Sequence, residues 1–288
     1  MNEIAKFKKD GLFLMAALDH RTSLKKMINR ENPNEVSGEE MIEWKKEALK
    51  ALTPFSSAVL LDPEFGLSAY KELNLEVPFL LSMEESGYKE SEEGRETSLE
   101  YSASELKKMG GEAVKLLVYY NAKAGAAIKQ KKIISKAAAD CEKNEIPFLL
   151  EIVSYDLGEE KKHKGILTEE AVEDILRLGA KIDIFKIEFP GNIETDGGKD
   201  LAFNFCRKIS AKLGKTPWIL LSAGDDFSDF KEKVKIAIKG GAKGFLAGRS
   251  LWKDFTECPK EKRTEFFERT VKRRFQEIIE IARESFNN

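Results

Sequence analysis

Short apolar runs recur along the chain, and most are followed by a longer stretch that mixes apolar residues with Lys and Glu. The short runs predict strands, several opened by Pro or Gly, and the amphipathic stretches predict helices. Eight runs qualify: "GLFLMAALD" (11–19), "SAVLLDPEFG" (57–66), "VPFLLSMEE" (77–85), "AVKLLVYYN" (113–121), "PFLLEIVSYD" (147–156), "IDIFKIEFP" (182–190), "PWILLSAGDD" (217–226) and "GFLAGRSLW" (244–252). Between them lie helical patterns such as "GEEMIEWKKEALKAL" and "SDFKEKVKIAIKGGA", several ending at Gly as helices often do. The segment after the second strand has room for only a turn or two of helix. A long pattern from about Lys260 to Ser285 predicts the last helix.

Eight strands alternating with helices within about 250 residues predict a (β/α)8 TIM barrel. An open doubly wound sheet is the competitor, but no glycine-rich dinucleotide turn follows the first strand, and charges sit inside several strands. No Pro/Gly/Ser linker divides the chain, so residues 1–288 read as a single barrel domain. The polar segment "ESGYKESEEGRETSLEY" (85–101) falls where a strand-to-helix loop belongs.

Strand parity sorts the charges. Side chains alternate between faces, so one set points into the barrel and the other toward the helices. In 182–190, Phe185, Ile187 and Phe189 form the helix-facing side, which turns Lys186 and Glu188 inward and makes Glu188 a candidate to orient or balance the lysine and to meet the substrate. By the same rule Val114, Leu116 and Val118 turn Lys115 inward, and Phe148, Leu150 and Ile152 turn Glu151 inward. Asp19 shares the parity of Phe13 near the end of its strand. Charges on this inner face belong near the C-terminal mouth, where barrels of this kind keep their chemistry. A structural ion network is the alternative, but a buried ion pair often adds no net stability, so such a cluster needs another reason.

This set suits imine formation. A lysine attacks a carbonyl only as the neutral amine, and burial of Lys186 beside a second cation, Lys115, favours that form. Glu151 is placed to shuttle protons. Strands seven and eight end in "SAG" and "AGR", small residues with backbone N–H groups, plus the Ser222 hydroxyl and the Arg249 guanidinium; barrels commonly bind phosphate between these loops.

Composition narrows the picture further. With 42% hydrophobic and 34% charged residues and a formal net charge of -2, the chain has the profile of a soluble globular protein with no basic patch for nucleic acid. The run "EEKKHKG" reads as a solvated face, with His163 exposed to solvent. Cys141, Cys206 and Cys258 are far apart, suggesting neither disulfides nor a thiolate metal site. No signal-peptide pattern or membrane span is found, so a reducing cytoplasm is expected.

The motifs "ALDHR", "VKLLV", "EIVSYD", "FKIEFP", "WILLSAG" and "GAKGFLAGRSLW" occur in this order across residues 11–252, and the sequence resembles the class I, Schiff-base aldolases of the deoxyribose-phosphate and tagatose-bisphosphate aldolase family. Its tagatose-bisphosphate and sulfofructose-phosphate branches are the most similar. The resemblance implies that Lys186 forms the Schiff base, that Glu151 is the main proton shuttle and that Lys115 and Asp19 assist. It also implies that Ser222, Gly224, Gly248 and Arg249 hold a phosphate of the dihydroxyacetone phosphate half, and that no metal or other cofactor is needed. Through "ALDHR", His20 and Arg21 become substrate-side candidates. The resembled pattern is closer to "ALDQR", which leaves His20 either a ligand contact or a tolerated polar residue. The expected reaction is cleavage of a ketose 1,6-bisphosphate to dihydroxyacetone phosphate and glyceraldehyde 3-phosphate, with a ketose 1-phosphate bearing a C6 sulfonate as runner-up.

Other classes fit less well. A zinc-dependent aldolase wants several histidines, and the chain has two, far apart. A dehydrogenase would need the glycine fingerprint. A sugar-phosphate-binding regulator would keep the two loops but has no need of Lys186, Lys115 and Glu151 together. The C-terminal stripe of Phe266, Phe267, Val271, Phe275, Ile278, Ile279 and Ile281 has two destinations, the outside of the barrel or a partner in a homo-oligomer, and covering the barrel is the simpler.

Overall fold

The computed structural model describes residues 3–158 and 163–287. All eight predicted runs contain a strand: β1 (Phe13–Leu18), β2 (Ala58–Leu61), β3 (Phe79–Ser82), β4 (Ala113–Tyr120), β5 (Phe148–Ser154), β6 (Ile184–Ile187), β7 (Trp218–Leu221) and β8 (Gly244–Ala247). They pair in parallel in sequence order, and β8 closes on β1. Closure brings β8 against Phe13 so tightly that a Cβ at Gly244 would lie 2.0 Å from the Phe13 carbonyl oxygen. Its φ of +134° is also one that residues with side chains rarely adopt.

Two apolar layers result from the alternation. Phe13, Met15, Ala17, Leu60, Leu80, Leu149, Ile184, Ile219 and Leu246 fill the barrel, over a floor made by Ile4 and Phe7. The opposite strand faces, including Val114, Leu116, Phe185 and Phe245, pack on the helices. The C-terminal stripe covers the barrel: Phe267, Val271, Phe275, Ile278 and Ile279 are buried, and Phe275 meets Phe245 of β8 with ring centroids 6.0 Å apart. The predicted single helix from 260 is interrupted, however, by a 3-10 turn at Lys260–Lys262 and a π-helical segment at Phe266–Val271 before the helix Lys272–Asn287. The segment after β2 forms the seven-residue helix Gly66–Glu72. The sequence pattern does not predict the helix Thr22–Ile28 after β1, the antiparallel ribbon of Lys89–Ser91 with Gly94–Glu96 inside the polar segment after β3, or the short helix Arg249–Trp252 that follows β8 within its predicted run. The three cysteines are free. Among the described residues no helix is long and apolar enough to cross a membrane.

Of the run "EEKKHKG", residues 159–162 lie outside the described residues. His163 is half-buried, contrary to the exposed position expected for it. Its ring nitrogen Nδ1 accepts from Gly165 N at 3.1 Å, capping the helix Lys164–Leu176, and the ring stacks on Phe205 with centroids 5.4 Å apart. A helix start has N–H groups to satisfy, and packing against the next helix covers the ring.

The helix Gly38–Leu52 fixes the end of β1. Its buried stripe contains Met41, Trp44, Ala48, Leu49, Leu52 and one cation, Lys45, which is 0% exposed. Lys45 Nζ donates to the carbonyl oxygens of Leu18 (2.6 Å) and His20 (3.0 Å) and to the Asp62 carboxylate. Asp62 also accepts from Phe65 N (2.7 Å) and Gly66 N (3.1 Å). Removing one member of such a pair leaves the other charge buried and uncompensated. Lys45→Met is therefore expected to lower unfolding free energy by about 3 kcal/mol, measured by urea titration. A loss within the usual surface range, below about 0.5 kcal/mol, would contradict this account of the pair.

Candidate active site

Three strands and the end of a fourth present charge at the mouth. Lys115 of β4 and Glu151 of β5 follow Ala113 and Leu149, both interior residues, and Lys186 of β6 follows interior Ile184. Glu151 and Lys186 are register partners on adjacent strands. Their side chains meet, with Lys186 Nζ 2.8 Å from Glu151 Oε2. Lys115 Nζ lies 3.5 Å from the same oxygen and 2.6 Å from Asp19 Oδ2. Asp19, whose direction its place at a strand end leaves open, thus points inward. Neither ammonium is aligned to hydrogen-bond Glu151 Oε2, which has no donor among the described residues.

A third carboxylate completes the cluster. Glu84, just beyond β3, hydrogen-bonds Lys115 Nζ through Oε1 and accepts from Leu117 N through Oε2 at 3.2 Å. It escaped sequence reasoning although the signal was present: Leu80 is interior, and Ser82 and Glu84 share its parity. Tyr119 and Tyr88 of the cleft wall also went unnoticed.

Charge states follow from these contacts. Burial works against a charged Lys115, but Asp19, Glu84 and Glu151 hold its ammonium well above the ordinary lysine range. Burial would raise Asp19, yet Lys115, with His20 and Lys186, keeps its carboxyl well below the usual range. Burial pushes Glu84 up against the pull of Lys115, and Asp19 and Glu151 add to the rise. His20 is pushed down to about 3, by burial first, against the attraction of Asp19 and with Arg249, Lys45 and Lys186 adding to the fall. Its ring is therefore neutral near pH 7. His20 sits edge-on to Trp252 with centroids 5.0 Å apart, and its buried Nδ1 has no hydrogen-bond partner among the described residues. Asp19 Oδ1 lies 3.8 Å from that nitrogen.

Two expectations change. Glu188 faces the cleft but does not serve Lys186; it pairs with Lys164 at 2.7 Å and accepts from Ser154 N at 2.8 Å. Lys164 reaches it from the start of the helix after β5, a neighbour that strand parity does not reveal. Arg21 is not a free cation. Its guanidinium donates to Glu100 (2.5 Å) and to the Glu84 carbonyl (2.6 Å), tying the end of β1 to the loop after β3.

The loops after β7 and β8 form the opposite wall. Ser222 Oγ accepts from Gly248 N at 3.1 Å, and Ser222 O accepts from Ser250 Oγ at 3.0 Å. The Gly248 N–H is thus taken and is not the open donor expected. Gly224 takes φ +80°, a backbone conformation that favours glycine, and its backbone approaches the Arg249 guanidinium so that a Cβ there would stand 3.5 Å from it, in ordinary contact. Arg249 and Lys26 also line the cleft, without an ion-pair partner among the described residues. The whole cleft encloses about 760 Å³, within the range of small-molecule sites. No group of three or more His, Cys, Asp or Glu among the described residues is arranged to hold a metal ion.

Comparison with known proteins agrees with this picture. A family model described as DeoC/LacD family aldolase matches residues 13–254. The chain is similar to tagatose 1,6-diphosphate aldolase 1 of Enterococcus faecalis, at 33% identity over 96% of this chain and 91% of that protein. It is likewise similar to tagatose 1,6-diphosphate aldolase 1 of Streptococcus mutans, at 33% identity over 86% of this chain and 84% of the relative. Among solved structures, the fold resembles a fructose-bisphosphate aldolase from Plasmodium falciparum (TM-score 0.72, 14% identity, covering 99% of this chain and 93% of that one). A Schiff-base-forming fructose-1,6-bisphosphate aldolase has the same fold (TM-score 0.64, 17% identity, covering 94% of this chain and 97% of that one).

Proposed function

The chain belongs to the DeoC/LacD family of aldolases, and from that membership we propose that it cleaves tagatose 1,6-bisphosphate to dihydroxyacetone phosphate and glyceraldehyde 3-phosphate through an imine on Lys186. The observation that carries the reading is the contact between Lys186 Nζ and Glu151 Oε2, 2.8 Å apart at the barrel mouth. A carboxylate at that distance can take a proton from the ammonium and leave the amine free to attack.

The steps use the residues in place. Lys186 Nζ adds to C2 of the ketose, and the carbinolamine loses its hydroxyl as water with a proton delivered by Glu151. A base then removes the proton of the C4 hydroxyl while the C3–C4 bond breaks. Its electron pair passes into the enamine, and the aldehyde leaves. Protonation at C3 and hydrolysis of the imine release dihydroxyacetone phosphate and restore Lys186. Lys115, kept cationic by three carboxylates, stabilises negative charge developing on substrate oxygens. Asp19 holds Lys115 at 2.6 Å, and His20 offers a neutral ring to a substrate hydroxyl.

Two cations of the cleft with no ion-pair partner among the described residues, Arg249 and Lys26, suit a substrate with an anion at each end. Arg249, with Ser222 and the Gly224 loop, takes the C1 phosphate; Lys26 faces the C6 anion. A cytoplasmic setting, where sugar phosphates are made, belongs to the same reading.

Borohydride reduction in the presence of dihydroxyacetone phosphate is expected to add the reduced ligand to the peptide carrying Lys186, read by mass spectrometry. Turnover with no adduct on that peptide would overturn the imine assignment. Among tagatose 1,6-bisphosphate, fructose 1,6-bisphosphate and sulfofructose 1-phosphate, the first should show the highest kcat/KM. A higher value for the sulfonate would transfer the assignment to that substrate.

A further inference from the structure

Glu84 is the one member of the buried cluster that the proposed reaction does not use. It is 7% exposed, and both carboxylate oxygens are committed. Oε1 binds Lys115 Nζ, and Oε2 accepts the Leu117 N–H, two residues along the same strand. The carboxylate therefore clamps Lys115 to its own backbone. Leu117 is in turn the register partner of Glu151, so the clamp acts at the level where Glu151 meets Lys186.

Glu84 is itself held from behind. Arg21 Nη2 donates to the Glu84 carbonyl at 2.6 Å while Nη1 binds Glu100 at 2.5 Å. A chain of contacts thus runs from Arg21 through Glu84 to Lys115, and from Lys115 to Asp19 and Glu151. Without Glu84, an ammonium on a flexible four-carbon stem is free to move toward either remaining carboxylate. A move toward Glu151 would close the 3.5 Å gap and compete with Lys186 for Oε2.

We propose that Glu84 is a positioning residue for the aldol reaction: it holds Lys115 between Asp19 and Glu151 and keeps the Glu151 carboxylate for Lys186. This rests on the imine reading, which borohydride trapping in the wild-type enzyme tests separately.

Glu84→Gln keeps an oxygen for the Leu117 N–H but loses the charge that holds Lys115. It should lower kcat about 100-fold, the scale of a misplacement of about 1 Å at a reacting centre, with KM changed less than about threefold, because no substrate contact is lost. Glu84→Asp, which keeps the charge on a shorter stem, should recover part of the loss. The decisive measurement is a double-mutant cycle with Lys115→Met. If Glu84 acts through Lys115, Glu84→Gln costs little further kcat in the Lys115→Met background; full additivity of the two losses would overturn the proposal. Rates are normalised to the fraction of chains that trap dihydroxyacetone phosphate, so partial unfolding does not register as lost kcat. Where Lys115→Met fails to fold, Lys115→Gln, which also removes the charge but keeps a polar end, replaces it in the cycle with the same criterion. A Glu84→Gln enzyme with wild-type kcat and only a lowered Tm would also sink the proposal, leaving Glu84 a structural ion-pair member.

Discussion

Lys186→Ala is expected to lower kcat by at least about 10⁴-fold, because covalent catalysis has no substitute once the nucleophile is removed. The fold should survive. Lys186 lies at the mouth end of β6, and its removal does not orphan Glu151, which keeps Lys115 at 3.5 Å. The expected pattern is a lowering of Tm by a few degrees, the size that about 1 kcal/mol produces in a chain of this length, together with complete loss of the borohydride adduct. Lys186→Arg should be equally inactive, since guanidinium keeps the charge but does not deprotonate to a nucleophile. Turnover within tenfold of wild type in either variant would remove Lys186 from its assigned role.

Parity carried the sequence reading because a parallel barrel converts alternation into inside and outside without long-range information. Lys115, Glu151 and Lys186 each interrupt an apolar strand on the interior face, and the structure brings them together with Asp19. Glu84 obeyed the same rule but lies past the end of a four-residue strand, where two adjacent glutamates obscured which one turned inward. Contacts from a neighbouring element were beyond such a rule. The partner of Glu188 is Lys164, on the helix after β5, and Arg21 is claimed by Glu100 across the mouth. Lys45 left a trace: it interrupts an otherwise apolar stripe at helical spacing, Met41, Trp44, Ala48, Leu49 and Leu52. The interruption before the last helix left none, because the apolar spacing there also fits an unbroken helix.

Glu151→Gln is expected to lower kcat about 10³-fold, within the range for loss of a general acid–base, with KM little changed. The amide is nearly the same size and keeps an oxygen for Lys186 to approach, so the barrel mouth keeps its shape; what disappears is the ability to take and return a proton. Dehydration of the carbinolamine should then become slow, and single-turnover trapping with borohydride should slow by a similar factor while reaching the wild-type endpoint. The choice among the three carboxylates rests on their commitments. Asp19 is bound to Lys115 at 2.6 Å and held well below the usual range, which makes it a weak base. Glu84 has both oxygens engaged, by Lys115 and by Leu117 N. Only Glu151 Oε2 combines contact with Lys186 and freedom from a hydrogen-bond donor among the described residues. If Glu151→Gln kept more than a tenth of wild-type kcat while Asp19→Asn lost it, the shuttle would have to be reassigned to Asp19, with Lys115 as the group that passes its proton to the substrate.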